Sequence, residues 1–97
     1  MQGLYVTRNE RNSKKHPDRP GSRKLIEDIL NGKVDGLTID DINVEATSMF
    51  GNEYGGPLRG APAGEIHFVG PNPHQLRNFY GTLVCDGQGG AKIKKVR

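Results

Sequence analysis

The chain has 97 residues, of which 33% are hydrophobic and 26% charged, and its formal net charge is +3. This length favours a single domain, residues 1–97, and the low apolar content predicts a small core with many loops. No stretch approaches the roughly 20 apolar residues of a membrane span, and residues 1–9 lack the apolar run of a secretory signal, so neither a membrane protein nor an exported precursor is expected. The single cysteine, Cys85, excludes an intramolecular disulfide and favours a reducing compartment, which predicts a cytoplasmic location, or a virion if the protein is viral.

Charge is distributed unevenly along the chain. Residues 1–24 carry seven basic and two acidic side chains, a balance of +5, and residues 92–97 add +4. Residues 25–91 hold three basic side chains and nine carboxylates, a balance of −6. Clustered cations suit binding to a polyanion, where counterions are released as phosphates are neutralised. Basic ends can also fold back onto an acidic middle or simply keep a chain soluble.

The N-terminal third predicts a strand, an arm and a helix. Leu4 to Thr7 alternates apolar and polar side chains among β-formers, which predicts a short strand. Residues 8–21 are predicted as a flexible basic arm, because no aliphatic or aromatic side chain is present to offset the entropy of ordering. Ser22 is a good N-cap, and an apolar stripe follows it, so the main helix is expected to begin there and to end at Asn31-Gly32. The stripe consists of Leu25, Ile26, Ile29 and Leu30.

The middle of the chain fits two patterns of secondary structure. Residues 33–50 fit strand alternation, which we favour because of their β-branched side chains, but Thr38 and Asp41 also form a capping pattern. Residues 51–64 are predicted as a long Gly/Pro-rich loop. Its large side chains, Tyr54, Leu58 and Arg59, either contact a ligand or pack on the core.

The C-terminal third predicts strands around a short helix. Glu65 to Val69 alternates, with Ile66 and Phe68 on one face. Asn72, Pro73 and Gln75 form a helix start, which predicts a short helix that continues through Phe79 and Tyr80 and ends at Gly81. Residues 82–86 and 91–96 predict a hairpin with a glycine-rich turn at 87–90. The predicted fold class is therefore α+β, loop-rich, with a small, mostly antiparallel sheet, one main helix and one short helix.

The leading functional interpretation is a small non-enzymatic binding protein that engages nucleic acid or another polyanion through its basic terminal segments. On the C-terminal strand Lys92 and Lys94 share one face, and Tyr80 and Tyr54 could add a modest stacking surface. The candidate binding residues are Arg8, Arg11, Lys14, Lys15, Arg19, Arg23, Lys24, Lys92, Lys94, Lys95 and Arg97. An acidic protein surface is an alternative partner. A structural or interaction component of a larger assembly, such as a homo-oligomer or a viral or phage particle, is the alternative function.

A second alternative is a small metal-independent ribonuclease. Glu65 and His67 lie two residues apart on one strand face and could act as base and acid on a phosphodiester, with Arg77 binding the phosphate. The spacing of the histidines, the cysteine and the carboxylates does not fit a zinc or calcium site, so no metal and no cofactor are expected. Cys85 is predicted to be a small buried side chain.

Overall fold

A computed structural model of the chain describes residues 2–10, 12, 18–46, 53–71 and 77–94, and for Pro71, Arg77 and Asn78 it describes only the backbone. Its regular elements are six strands and one helix: β1 (Gly3–Val6), α1 (Arg23–Leu30), β2 (Ile42–Glu45), β3 (Gly56–Pro57), β4 (Gly64–Pro71), β5 (Arg77–Cys85) and β6 (Ala91–Ile93). Two short 3-10 turns, Ile39–Asp41 and Leu58–Gly60, precede β2 and follow β3. The predicted α+β class is confirmed.

The strands form two small antiparallel sheets, each of three strands. The first sheet has the order β1-β2-β3 and the second β4-β5-β6. Gln2 connects them: its backbone N–H donates to His67 O at 3.1 Å, and its carbonyl accepts from the Val69 N–H at 2.9 Å. Gln2, which directly precedes β1, thus links the first sheet to β4 through two backbone hydrogen bonds.

The main helix forms as its sequence predicts. The Ser22 hydroxyl accepts a hydrogen bond from the Leu25 N–H at 3.1 Å, and the helix ends at Asn31. Ile26 and Ile29 are buried in the common core, and α1 packs against β5 and β6. This packing covers the inner face of the second sheet. On the opposite face Glu65, His67, Tyr80, Lys92 and Lys94 are exposed, whereas Val69 is buried.

Residues 38–46 combine both interpretations of this segment. The Thr38 hydroxyl accepts from the Asp40 N–H at 3.2 Å, and Asp41 Oδ2 accepts from the Thr38 N–H at 3.0 Å, so the capping pattern is real and opens the 3-10 turn. The favoured extended structure then follows as β2. Residues 47–50 lie outside the described part of the chain.

The predicted long loop contains short regular elements. β3 pairs with β2, and Leu58 is fully buried. Tyr54 packs against the core, and its hydroxyl donates to Pro57 O at 2.6 Å. Tyr54 and Leu58 therefore pack on the core, whereas Arg59 is exposed and forms an ion pair with Asp40. Residues 51–52 lie outside the described residues.

The predicted short helix is wrong over residues 77–81, which belong to strand β5. Antiparallel pairing places Phe68 opposite Gly81 and Gly70 opposite Phe79. A Cβ on Gly81 would lie 2.4 Å from Phe68 Cζ, and one on Gly70 would lie 2.4 Å from Phe79 Cζ. Each ring therefore covers the glycine across from it, and the two rings also meet edge to face at 6.3 Å. This cross-strand packing overrides the local helix signal, whose first part at 72–76 lies outside the described residues.

Candidate nucleic-acid interface

The exposed face of the second sheet collects most of the chemically active side chains of the C-terminal half. Alternation along β4 buries Ile66 and Phe68 and exposes Glu65 and His67, as predicted. The register with β5 and β6 then places side chains of three strands on the same side. We call this surface the outer face; its residues are Glu65, His67, Tyr80, Thr82, Val84, Lys92 and Lys94.

Two polar contacts order the outer face. Lys94 Nζ lies 2.9 Å from Glu65 Oε2, and this ion pair lowers the pKa of the Glu65 carboxyl, first through the hydrogen bond and then through the ammonium charge. His67 Nδ1 lies 3.0 Å from the Thr82 hydroxyl, directly across the β4–β5 pair. The imidazole is thus held in a fixed position on the strand.

Two other side chains of the outer face remain open to solvent. Tyr80 is 53% exposed, the most exposed of the large hydrophobic side chains in the described residues. Lys92 is exposed and, within the described part of the chain, takes part in no ion pair. A planar ring and a solvated cation are therefore available to a ligand without breaking a contact.

The N-terminal candidate cations are mostly engaged with carboxylates. Arg8 pairs with Asp18 at 2.9 Å and donates to Asn12 O at 2.9 Å. Arg19 contacts Glu45 through two nitrogens, at 3.0 and 3.2 Å, in a half-buried pair. Both pairs neutralise an arginine within the fold. The Arg19–Glu45 pair is the folding back onto the acidic middle that the charge pattern left open, whereas Asp18 belongs to the basic segment itself.

The remaining basic candidates divide between the helix and the undescribed residues. Lys24 pairs with Asp28 at 3.4 Å one helical turn away, while Arg23 is exposed and, among the described residues, has no ion pair. Exposed pairs of this kind contribute little energy and can exchange for a phosphate. Arg11, Lys14, Lys15, Lys95 and Arg97 lie outside the described residues.

The described part of the predicted arm contacts the body of the protein. The Val6 N–H donates to Asp18 O at 2.7 Å, and Asn12 and Pro20 are buried. The Asn12 side chain donates to Thr7 O at 3.3 Å and accepts from the Asn9 N–H at 3.3 Å. These contacts hold residues 8–9 and 18–20 close to β1. The flexibility of the residues between them stays a prediction.

The candidate catalytic pair lies on the outer face but is engaged with other partners. Glu65 and His67 are both exposed on the same side of β4. Because Lys94 lowers the pKa of Glu65, this carboxylate is a weaker proton acceptor than an ordinary glutamate. The side chain of Arg77, the predicted phosphate ligand, lies outside the described part of the structure.

The described residues lack the side-chain cluster of a metal site and the helix of a membrane span. They contain no group of three or more histidine, cysteine, aspartate or glutamate side chains placed to hold a metal ion. Within the same residues, no helix combines the length and apolar character needed to cross a bilayer. Cys85 is buried, as predicted, and burial raises the pKa of its thiol.

Comparison with known proteins gives no relative. No family model matches the chain, and no curated protein and no solved structure matches it. The function can therefore be inferred only from the geometry of the outer face. Sequence patterns had pointed to most of its residues but had missed Thr82 and Val84, although their alternation with the buried Leu83 is visible in the sequence.

Proposed function

We propose that the protein binds single-stranded nucleic acid on the outer face of its second sheet, with the basic terminal segments adding phosphate contacts. The observation that supports this most is the placement of an exposed tyrosine and two lysines on one side of a three-stranded antiparallel sheet. A sheet of this kind offers an extended surface for a flexible strand whose bases are not paired.

Tyr80 supplies the base contact. An exposed aromatic ring stacks on any base, and such stacking contributes about 1–3 kcal/mol per base. Duplex DNA keeps its bases stacked inside the helix, so a ring on a sheet surface favours single strands. His67 lies on the neighbouring strand and offers a second planar ring, held by Thr82.

Lys92 and Lys94 supply the phosphate contacts. Lys92 is free for this role in the described structure, while Lys94 is paired with Glu65 across an exposed surface. Since exposed ion pairs are worth at most about 1 kcal/mol, a phosphate can compete with the Glu65 carboxylate for Lys94. Lys95 and Arg97, which follow Lys94 in the sequence, are proposed as further phosphate contacts.

Fluorescence anisotropy with labelled oligonucleotides tests this proposal. The probes are an oligothymidylate of about 12 nucleotides, a length typical of small single-strand sites, an abasic oligomer of the same length, and the corresponding duplex. The wild-type protein is expected to bind the oligothymidylate more tightly than the other two. Replacing Lys92 by Ala is expected to weaken binding to all probes and to reduce the salt slope by about 1.

The variant Tyr80→Ala isolates the stacking contact. It is expected to weaken binding of the oligothymidylate roughly 5- to 100-fold, which corresponds to the stacking energy of one base. Binding of the abasic oligomer should not change. Tyr5→Ala is the matched control, because Tyr5 is 37% exposed but lies on the first sheet. Equal losses in the two tyrosine variants, or no binding at low salt, would contradict the proposal.

A further inference from the structure

Strand β6 is a free edge of the second sheet. It pairs with β5 on one side, and in the described part of the chain no strand pairs with its other side. An open strand edge presents unpaired N–H and C=O groups, which can template the addition of another strand.

The pattern of hydrogen bonds between β5 and β6 shows which backbone N–H and C=O groups of β6 do not bond to β5. Lys94 N donates to Thr82 O at 2.8 Å, and Asp86 N donates to Gly90 O at 3.1 Å. In an antiparallel pair, hydrogen-bonded positions recur every second residue, so Lys92 shares the bonds with Val84. The N–H and C=O groups of Ala91 and Ile93 therefore point away from β5. No described hydrogen bond outside the sheet reaches them.

A groove runs beside this edge. It has a volume of about 400 Å³ and lies between the C-terminal half of α1 and β6. Its apolar side chains are Leu30, Val84 and Ile93, and its charged groups are Glu27 on the helix side and Lys92 and Lys94 on the outer face. A strand added to β6 would direct alternate side chains toward Leu30 and toward the lysines.

The charges of Lys92 and Lys94 indicate what kind of strand can pair with the β6 edge. A second copy of β6 in antiparallel pairing centred on Lys92 would place Lys92 opposite Lys92, and pairing centred on Ile93 would place Lys92 opposite Lys94. Like charges directly opposite each other destabilise a strand pair. A strand with carboxylates opposite the two lysines has the complementary charge, and Lys92 has no competing ion pair among the described residues.

We propose that the β6 edge accepts, as an added strand, an extended segment of a partner protein in which apolar and acidic residues alternate. The segment would hydrogen-bond to the backbone of Ala91 and Ile93. Its apolar side chains would face Leu30 and Ile93, and its carboxylates would face Lys92 and Lys94. This peptide site shares Lys92 and Lys94 with the proposed nucleic-acid surface, but it can be tested separately because it uses the backbone edge of β6 and not the Tyr80 ring.

Backbone amide exchange followed by NMR tests the site directly. The probe is a capped peptide of about six residues, a common strand length, in which glutamate and valine alternate, and the control probe has lysine in place of glutamate. With the glutamate peptide, exchange at the amides of Ala91 and Ile93 is expected to slow at least threefold, while the Gly56 amide of β3 does not change. The lysine peptide is expected to have no effect.

Two variants separate the backbone contact from the charge contact. Ala91→Pro removes an outward N–H without removing a bond to β5, and is expected to weaken binding of the glutamate peptide about tenfold, as for one hydrogen bond and its unpaired acceptor. Ala91→Val keeps the N–H and is its control. Lys92→Glu leaves the backbone intact and is expected to reverse the preference between the two peptides.

Several outcomes would overturn the proposal. One is unchanged exchange at Ala91 and Ile93 with the glutamate peptide. A second is equal binding of the two peptides, and a third is unchanged preference in Lys92→Glu, which is informative even if Ala91→Pro does not fold. Protection that grows with protein concentration in the absence of peptide would identify a second copy as the occupant instead. Loss of oligothymidylate binding in Tyr80→Ala would leave this proposal unaffected.

Discussion

The two sheets of this protein are stabilised by different kinds of interaction. Every buried polar or charged side chain in the described residues lies in or beside the first sheet: Gln2, Asn12, Asp41 and Asn43. The buried side chains of the second sheet are apolar or sulfur-containing, and include Ile66, Phe68, Val69, Leu83 and Cys85. The first sheet thus combines directional side-chain hydrogen bonds with the apolar packing of Leu4, Val6, Ile42 and Val44, whereas the buried side chains of the second sheet contribute packing alone.

The polar network of the first sheet centres on Asp41. Its carboxylate accepts from Asn9 Nδ2 at 2.7 Å and from the Thr38 N–H at 3.0 Å, and its carbonyl accepts from the Thr7 N–H at 2.7 Å. Asn43 Nδ2 donates to the Thr7 hydroxyl. These contacts tie β1, β2 and residues 7–12 together, so the polar groups of this region are satisfied internally.

The second sheet leaves its polar groups available. Because Phe68 and Phe79 fill the space above the glycines opposite them, the inner face is stabilised without polar contacts. The polar side chains of the same strands are then free to form the outer face. This difference supports the proposal that a ligand binds on the outer face of the second sheet. Four experiments test this comparison, from the largest expected effect to the smallest.

Phe68→Ala is expected to cause the largest loss of stability. The side chain is fully buried, so its truncation should lower the free energy of unfolding by about 3–5 kcal/mol, measured by urea denaturation. In a domain of this size such a loss can prevent folding. Tyr80→Ala, on the exposed face, is the control and should change stability by no more than about 0.5 kcal/mol. Similar losses in both variants would mean that the outer face is part of the core.

Gly81→Ala tests the packing of the ring on the glycine. The new Cβ would meet the ring of buried Phe68 at 2.4 Å, so we expect a loss of about 1–3 kcal/mol from overpacking. The control is Gly21→Ala, since no atom lies within 4 Å of a Cβ built there. A neutral Gly81→Ala would contradict the strand register, because a helical residue 81 would have no such contact.

Asp41→Ala tests the polar network of the first sheet. The change leaves the Asn9 amide and the Thr38 N–H without their acceptor, and should cost about 1–2 kcal/mol. Amide exchange should become faster in β1 and β2 and remain unchanged in β4 and β5. Asp40→Ala is the control, because Asp40 is exposed and forms only an exposed ion pair with Arg59. Faster exchange in both sheets would show that the two do not differ in this way.

The smallest effect is expected at Asp86, which closes the β5–β6 hairpin. Asp86 Oδ1 accepts from the N–H groups of Gln88, at 2.7 Å, and Gly90, at 3.0 Å, and these bonds lower the pKa of the carboxyl. Because its pKa is lower in the folded state, the Asp86 carboxyl stabilises the hairpin at pH values above about 3.9, the ordinary aspartate pKa. This stabilisation is lost as the pH falls from there through the pKa of the folded state. The protection factors of the Gln88 and Gly90 amides, which correct for the intrinsic slowing of exchange in acid, should therefore fall as the pH is lowered.

The variant Asp86→Asn provides the comparison for this pH dependence. Its amide cannot titrate, so the acid-induced loss of protection at Gln88 and Gly90 should be absent while other carboxylates still titrate. If both proteins show the same pH profile at these amides, the turn does not depend on the Asp86 charge.

Local sequence signals predicted the elements whose contacts are local. The Ser22 cap and the stripe of α1 lie within a few residues of each other, and the alternation at 65–69 separates Ile66 from His67 without reference to any other strand. The same applies to Lys92 and Lys94, whose shared face follows from their spacing.

Structural features that depend on a contact with a distant residue were not predicted from the sequence. Residues 79–81 contain a plausible helix end, yet Phe68, more than ten residues earlier, determines that Gly81 lies in a strand. The position of Asn9 is a similar case, because its side-chain amide donates to Asp41, 32 residues later in the chain.

The sequence by itself determined the fold class, the main helix, the hairpin and the strand faces of Glu65, His67, Lys92 and Lys94, but it placed Tyr80 on a helix. Only the tertiary structure decided which cations are paired, since Arg19 meets Glu45 and Lys94 meets Glu65 across 26 and 29 residues of chain. The physical reason is the range of the interactions. Helix caps and strand alternation act over a few residues, whereas ion pairs, ring–glycine contacts and buried amides depend on which distant strands the fold brings together.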